Sequence, residues 1–381
     1  MIYFDNSATT RVCAEAANAA MAAMTETFYN PAAAYTPAIA ADKAVYAMRM
    51  RLAAAMGRTA DEIVYTSGGT ESNNTAIFGA LGGVRGKRRI LTCLTEHPSV
   101  YEVFRRLEAD PDNEVVYLPP EASGAAALAA LEDALTPDTA LVSLMHVNNE
   151  TGGVLDVAAA AARIRKLAPN AMFHVDGVQA FCKLSFAALP CDMYSVSAHK
   201  FHAPKGVGAL MVRKGARFSG GLIGGGQENG LRSGTTNVPG IAGMDAALLR
   251  YRTNQSAYIA RMRAVKERLM TNLLTIDDAV VNGPSLMDGA PHILNMSFPG
   301  AGGEVLLNAL SERGVCVSTG SACSAHRKGK NRVLTAVGVS GARQDSALRF
   351  SFCPENTVEE ADTVSGYLRE LVTFLRRYRR R

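Results

Sequence analysis

At 381 residues, 48% apolar and 20% charged, the chain has room for two domains, or one large α/β domain with an appendage, in ordinary globular balance. Its net charge of +5 is modest, sits largely in Arg376-Arg-Tyr-Arg-Arg-Arg381 and between His326 and Arg332, and forms no aromatic-interleaved basic stripe, which argues against direct nucleic-acid binding. No apolar run is long enough to cross a bilayer and the opening Met1-Ile-Tyr-Phe-Asp-Asn6 is no secretory leader, so the expectation is a cytoplasmic protein without membrane contact.

Through the first two-thirds, short β-rich runs alternate with helical patterns. The predicted strands are Glu62–Thr66 (EIVYT), Arg89–Thr92 (RILT), Glu114–Leu118 (EVVYL), Ala140–Val147 (ALVSLMHV), Met172–Asp176 (MFHVD), Met193–Ser197 (MYSVS) and Gly208–Val212 (GALMV). Leu128–Leu135 and Val157–Leu167 read as helices between them. Strands apolar on both sides and separated by helices predict a mostly parallel sheet covered on both faces. Near residue 240 the pattern changes. A long helix over roughly 241–274 leads into His292–Phe298 (HILNMSF), a helix near Glu304–Arg313 and a strand at Ala347–Phe352. The capping-box sequence Thr357-Val-Glu-Glu360 then opens a last helix, with Val364, Leu368, Leu371 and Leu375 on one face. The expected organisation is a large α/β domain over residues 1–240 and a smaller α+β domain over 241–381, with the N-terminal segment able to pack against the smaller one.

Cysteines stand at 13, 93, 182, 191, 316, 323 and 353. None forms a CxxC pair and no Cys/His cluster has zinc-finger spacing, so neither a metal site nor a disulfide framework is expected. Most read as inert core thiols; Cys323, in Ser318-Thr-Gly-Ser-Ala-Cys323, has the small-residue setting of an exposed loop where a thiolate can react.

Ligands of open parallel sheets collect at the carboxyl ends of strands. Thr66-Ser-Gly-Gly-Thr70 follows a strand and opens a helix, a setting that serves an anion such as phosphate or simply close packing. Asp176 ends another strand, with Gln179 three residues on, and Ser197, His199 and Lys200 end the next. Alone, Lys200 reads as a solvated lysine. Together, a phosphate-binding helix start, a strand-end carboxylate and a strand-end lysine meet the needs of pyridoxal phosphate: a Schiff-base amine and a carboxylate that keeps the pyridine nitrogen protonated.

Nearly the whole chain resembles one enzyme family. In order it carries YFDNSATT (3–10), TSGGTESNN, TEHPSV, MHVNNETG, HVDGVQ, SAHKFHAPKGVGAL, GGGQENGLRSGT, STGSAC and LRFSF. These are similar to the motifs of fold-type I pyridoxal-phosphate enzymes of the class V aminotransferase group, and specifically of NifS/IscS-like cysteine desulfurases. The resemblance implies that Lys200 forms the Schiff base, Asp176 pairs with the pyridine nitrogen, Gln179 bonds the phenolic oxygen and His97 stacks on the ring. Gly69, Thr70, Ser197 and His199 would hold the phosphate. Thr235 would reach the phosphate of a partner subunit, implying a homodimer. Asn149 and Arg349 would clamp the carboxylate of L-cysteine. Cys323 would take the sulfur as a persulfide and pass it to an acceptor protein, such as an iron–sulfur scaffold or a tRNA-thiolation enzyme. A class V aminotransferase and a selenocysteine lyase are the alternatives on the same scaffold. The chain departs from its relatives at Asn30-Pro-Ala-Ala-Ala-Tyr-Thr-Pro37 and in the basic run His326-Arg-Lys-Gly-Lys330.

Overall fold

A computed structural model describes residues 1–320 and 331–379. After a short strand β1 (Ile2–Tyr3) and two helices, Ala14–Thr25 and Thr36–Ala55, the chain enters its main sheet. The strands of that sheet are β2 (Ile63–Thr66), β3 (Arg88–Cys93), β4 (Asn113–Leu118), β5 (Thr139–Met145), β6 (Met172–Asp176), β7 (Met193–Ser197) and β8 (Gly208–Val212). Their spatial order is β2-β8-β7-β6-β5-β3-β4. All neighbours run parallel except β8, which is antiparallel to both β7 and β2. The reversal has a geometric effect. Because β8 opposes each neighbour, β2 and β7 point the same way and their carboxyl ends lie at one edge of the sheet.

The apolar sequences of the central strands follow from this layering. Every residue of β5, β6, β7 and β8 is buried, as expected of strands covered on both faces. One core includes Leu91, Val142, Phe173, Val175, Val196 and Met211. On the opposite face Ile77, Ile90, Phe104, Leu141, Met193 and Leu210 form another, beneath the helices Gly69–Leu81 and Pro98–Leu107. Each such large side chain contributes roughly 1.5–3 kcal/mol by leaving water.

Beyond the sheet, the helix Val238–Leu273 passes from one core into another. Ile241, Met244, Leu248, Tyr251 and Tyr258 belong to the first. Met262, Val265, Leu269 and Leu273 belong to a core built with Phe4, Met296, Phe350 and Leu368. That second core holds β9 (Val280–Val281), β10 (Ile293–Ser297) and β12 (Ala347–Ser351), an antiparallel sheet in the order β12-β10-β9. The strand β11 (Val315–Cys316) pairs in parallel with β1, and Phe4 joins this second core, so the first residues of the chain pack with its C-terminal part. The final helix begins where its capping box predicts: Thr357 N–H donates to Glu360 Oε2 at 3.1 Å and Glu360 N–H to Thr357 Oγ1 at 3.3 Å.

Candidate active site

The carboxyl ends of β2, β5, β6 and β7 meet around a cavity of about 260 Å³. Register brings them together: Met145 pairs with Asp176, Asp176 with Ser195, and Gly208 lies between Thr66 and Ser197. Of the residues expected from sequence, Gly69, Thr70, His97, Asn149, Asp176, Gln179, Ser197, His199, Lys200 and Arg349 all line this one cavity. Thr235 does not; it is exposed, just before the helix Val238–Leu273. Cys323 lies outside the described residues.

Two glycines shape the floor. Gly68 has φ +145°, where an L side chain is strained, and a Cβ on Gly69 would sit 2.7 Å from Val178 Cγ2. Lacking side chains there, the chain turns from β2 directly into the helix Gly69–Leu81. The first-turn amides of that helix have no intrahelical acceptors and carry its positive dipole end, beside Ser197 and His199.

Asp176 is buried at the end of β6, accepting from Val178 N–H at 3.0 Å and from Asn73 Nδ2 at 2.7 Å. Burial pushes its carboxyl above the usual range, opposed by those two donors and by the nearby Lys200 ammonium. Asn73 also donates to Ser99 Oγ at 2.8 Å, and Ser99 contacts His97 Nδ1 at 2.8 Å through its hydroxyl and 3.1 Å through its N–H. Because Nδ1 accepts the Ser99 N–H, a neutral His97 carries its proton on Nε2. Burial, with Lys200 and Arg332 nearby, holds the His97 pKa down at about 4, so this ring is neutral near pH 7. Asn73 thus joins the carboxylate and imidazole into one network. It stands in the TSGGTESNN motif, yet nothing in its spacing marks it as a ligand of Asp176.

Lys200 lies in the turn after β7 and donates to the Ser7 and Ala8 carbonyls at 2.5 and 2.8 Å. Gln179 Nε2 donates to the same Ser7 carbonyl at 2.9 Å, while its Oε1 accepts from buried Lys183 at 3.3 Å. Lys183 therefore fixes which end of the Gln179 amide donates. Burial foremost, then the Lys200 charge, bring the Lys183 pKa down to about 7. Sequence reasoning missed Lys183, since a lysine four residues after a glutamine is ordinarily a solvated helix residue.

Arg349 enters from β12, almost fully buried. Its guanidinium donates to Asn149 O at 3.0 Å and to Asp5 Oδ1 at 2.7 Å, and its Nε is buried without a hydrogen-bond partner. Its backbone pairs with Ser318, the first residue of the STGSAC motif. Beyond that motif, Asn331 Nδ2 donates to Glu150 Oε2 at 2.6 Å, and Arg332 donates to the carbonyls of Leu94 and Glu96. Both ends of the cysteine-bearing segment are therefore tied to the cavity wall.

A sequence profile described as aminotransferase class-V matches residues 2–364. The chain belongs to that family. Among the relatives of this class-V protein, a cysteine desulfurase of Trichormus azollae is 40% identical, over 99% of this chain and 94% of its own length. The cysteine desulfurase IscS of Serratia proteamaculans (strain 568) is 40% identical, over 98% of this chain and 93% of its own. Among solved structures, a NifS-like protein superimposes with TM-score 0.91 at 35% identity, covering 98% of this chain and 99% of that one. A structure described as SspA in complex with cysteine superimposes with TM-score 0.81 at 32% identity, covering 93% and 99%. The class-V fold is thus a fold-type I α/β architecture with a mostly parallel central sheet.

The class-V family depends on pyridoxal phosphate, and the cavity fits that group. It offers a helix N-terminus for a phosphate and a carboxylate buried at the end of β6. A lysine amine lies on the same wall, and the cavity volume is appropriate to a small aromatic ring.

Proposed function

We propose that this chain is a cysteine desulfurase, converting L-cysteine to L-alanine and taking the sulfur onto Cys323 as a persulfide. The observation that carries this reading is the convergence of Lys200, Asp176, His97 and Arg349 on one cavity in a class-V chain. When bound, pyridoxal phosphate supplies an aldehyde that captures amines and a cationic ring that withdraws electrons from the substrate Cα. The first-turn amides at Gly69 and Thr70, with Ser197 and His199, would hold its phosphate. Asp176 would face its ring nitrogen, Gln179 Nε2 its phenolic oxygen and His97 its face; Lys200 would carry it.

Arg349 and Asn149 bind the substrate carboxylate and so orient the Cα–H bond. The freed Lys200 amine takes that proton. Cys323 thiolate then attacks the substrate sulfur: an S–S bond forms, the substrate C–S bond breaks, and its electron pair and a proton end on the carbon of the departing alanine. A sulfur acceptor, such as an iron–sulfur scaffold or a tRNA-thiolation enzyme, completes the cycle by removing the persulfide sulfur.

The active unit on this reading is a homodimer, with Thr235 of each subunit reaching the other's phosphate. In support, the helices Ala14–Thr25 and Thr36–Ala55 and the turn between them leave Met21, Met24, Phe28, Tyr35, Ile39, Tyr46 and Met50 exposed. Leu222 and fully exposed Ile223 are further exposed apolar side chains, in the segment that leads to Thr235. We place the enzyme in the cytoplasm, where thiols such as buried Cys93, Cys182 and Cys191 stay reduced. Among the described residues no helix is long and apolar enough to cross a membrane.

The deciding experiment compares parent and Cys323→Ser with L-cysteine, measuring alanine and sulfide together. The variant should bind L-cysteine, seen as a change in the visible spectrum, yet release little of either product. Desulfuration by the variant at the parental rate would remove Cys323 from the mechanism, whereas amino-group transfer to a keto acid without sulfide release would replace this reading with that of a class V aminotransferase. A strong preference for L-selenocysteine over L-cysteine would favour the lyase.

A further inference from the structure

Two residues past Lys200 the chain makes an unusual turn. His202 adopts φ +67° and is only 4% exposed. Its backbone is held from both sides: its N–H donates to Thr10 Oγ1 at 2.7 Å, and its carbonyl accepts from Cys13 N–H at 3.0 Å. The ring is held as firmly. Its Nδ1 lies 2.8 Å from the Arg11 carbonyl, and its face stacks on Tyr251. A carbonyl can only accept, so Nδ1 carries the proton and Nε2 presents a lone pair. That Nε2 is buried without a hydrogen-bond partner.

Cys353 and Glu355, which follow β12, lie beside this ring. Ligand atoms of His202, Cys353 and Glu355 all lie within 4.8 Å of one another, the one such group among the described residues. The Glu355 carboxylate is 3.5 Å from His202 Nε2. His202 and Cys353 are buried, while Glu355 is exposed, leaving an open side for water.

We propose that His202, Cys353 and Glu355 form a binding site for a divalent cation of the zinc type. The donor set points to that class: an imidazole nitrogen, a sulfur and a carboxylate oxygen suit a borderline-soft ion with tetrahedral preference, and water from the open side supplies a fourth ligand. The carbonyl-anchored Nδ1–H is the usual outer partner of a metal-bound imidazole, fixing tautomer and ring orientation before the ion arrives. On binding, the Cys353 S–H proton leaves to solvent. Thiolate and carboxylate then balance the two positive charges.

Arg250 is the competing cation. It pairs with Glu355 through Oε1, whereas the oxygen nearest His202 is Oε2. Arg250 also has Glu15 at 3.9 Å and the Tyr258 ring at 5.5 Å, so it keeps partners when Glu355 turns to an ion. The chain positions explain why spacing gives no hint of the site. His202 comes from the turn after the main sheet and the other two from the end of the small one. An ion there ties the Lys200 turn and the N-terminal segment to the strand that bears Arg349.

The test uses the pyridoxal-loaded protein carrying Cys323→Ser, which removes the competing loop thiol, dialysed against micromolar Zn2+. One ion per chain should be retained, with a rise in melting temperature over the metal-free protein. Cys353→Ala and Glu355→Gln should each weaken retention at least about ten-fold, the scale seen when even an outer partner of a ligand is lost. His202→Asn should abolish it while tolerating the positive φ. Co2+ should give a thiolate charge-transfer band that Cys353→Ala removes. No retained Zn2+ in the Cys323→Ser protein, or retention unchanged when Cys353→Ala or His202→Asn is added to it, overturns the proposal. If both core variants fail to fold, unchanged retention in the exposed-rim variant Glu355→Gln overturns it instead.

Discussion

The Arg349 guanidinium lies 2.7 Å from the Asp5 carboxylate, and the two come from opposite ends of the chain. An incoming substrate carboxylate must share or displace that partner. Arg349→Lys loses the planar fork and should weaken L-cysteine binding by about 1.5–3 kcal/mol, read as a rise in KM, with cofactor content unchanged. Asp5→Asn has the opposite sign: it frees the guanidinium, so KM should fall while the melting temperature drops. Unaltered kinetics in Arg349→Lys would remove that residue from the site.

Lys200 is expected to carry the cofactor. Borohydride treatment of the yellow protein should bleach its visible band and fix the added mass on the peptide containing Lys200. Lys200→Ala should show neither the fixed adduct nor turnover. An adduct on buried Lys183, a second amine near the cavity, would shift the assignment to it.

Arg332 is expected to position His97. Its guanidinium holds the Leu94 and Glu96 carbonyls and lies 3.8 Å from the centre of the Tyr101 ring, and its charge helps depress the His97 pKa. Arg332→Gln should lower kcat by about 10–100-fold with little change in KM, since misplacement near reacting groups is costly. The acid limb of the pH–rate profile should move up as His97 becomes easier to protonate. Arg332→Lys restores charge without the fork, so it should recover the pH profile but not kcat.

Acid should unfold this protein early. Burial first of all depresses the pKa values of His97 and His146 to about 4 and of His174 and His199 to about 3; His202 and His292 are lowered too. An unfolded histidine titrates near 6.5, so between pH 6.5 and 4 the unfolded state binds more protons and stability falls as pH falls. Asp176 and Glu96, whose pKa values are raised, act in the opposite direction over part of this window. With more histidines than carboxyls involved, the melting temperature should fall steeply below about pH 6.5. A flat profile down to pH 4.5 would show that these rings are solvated.

The strands of the main sheet were readable because burial on both faces demands unbroken apolar runs. Met172–Asp176, Met193–Ser197 and Gly208–Val212 match the predicted limits, and the long helix begins three residues early because Asn237 caps it. Pairings formed across the whole chain were hidden. Neither Ile2–Tyr3 nor Val315–Cys316 is long enough to show a period, and each is a strand only because the other lies beside it. The antiparallel direction of Gly208–Val212 was equally silent, since an apolar run carries no sense of direction. At the site, residues with chemistry at strand ends stood out. Those acting through backbone carbonyls (Ser7 and Ala8 toward Lys200) or through a neighbour (Asn73, Lys183, Arg332) did not, because such roles exist only after folding.

The helix Val238–Leu273 runs unbroken for 36 residues through two cores, and this constrains how the chain can change length. One residue inserted between Tyr258 and Met262 would rotate everything downstream by about 100° and advance it by about 1.5 Å. Met262, Val265, Leu269 and Leu273 would then swing out of register with Phe4 and Phe350 while Tyr251 stayed in place. At the exposed turn around Gly86 the same insertion disturbs no buried contact. The helix acts as a ruler, and lineages of this protein can vary in length at their loops but hardly at all along it.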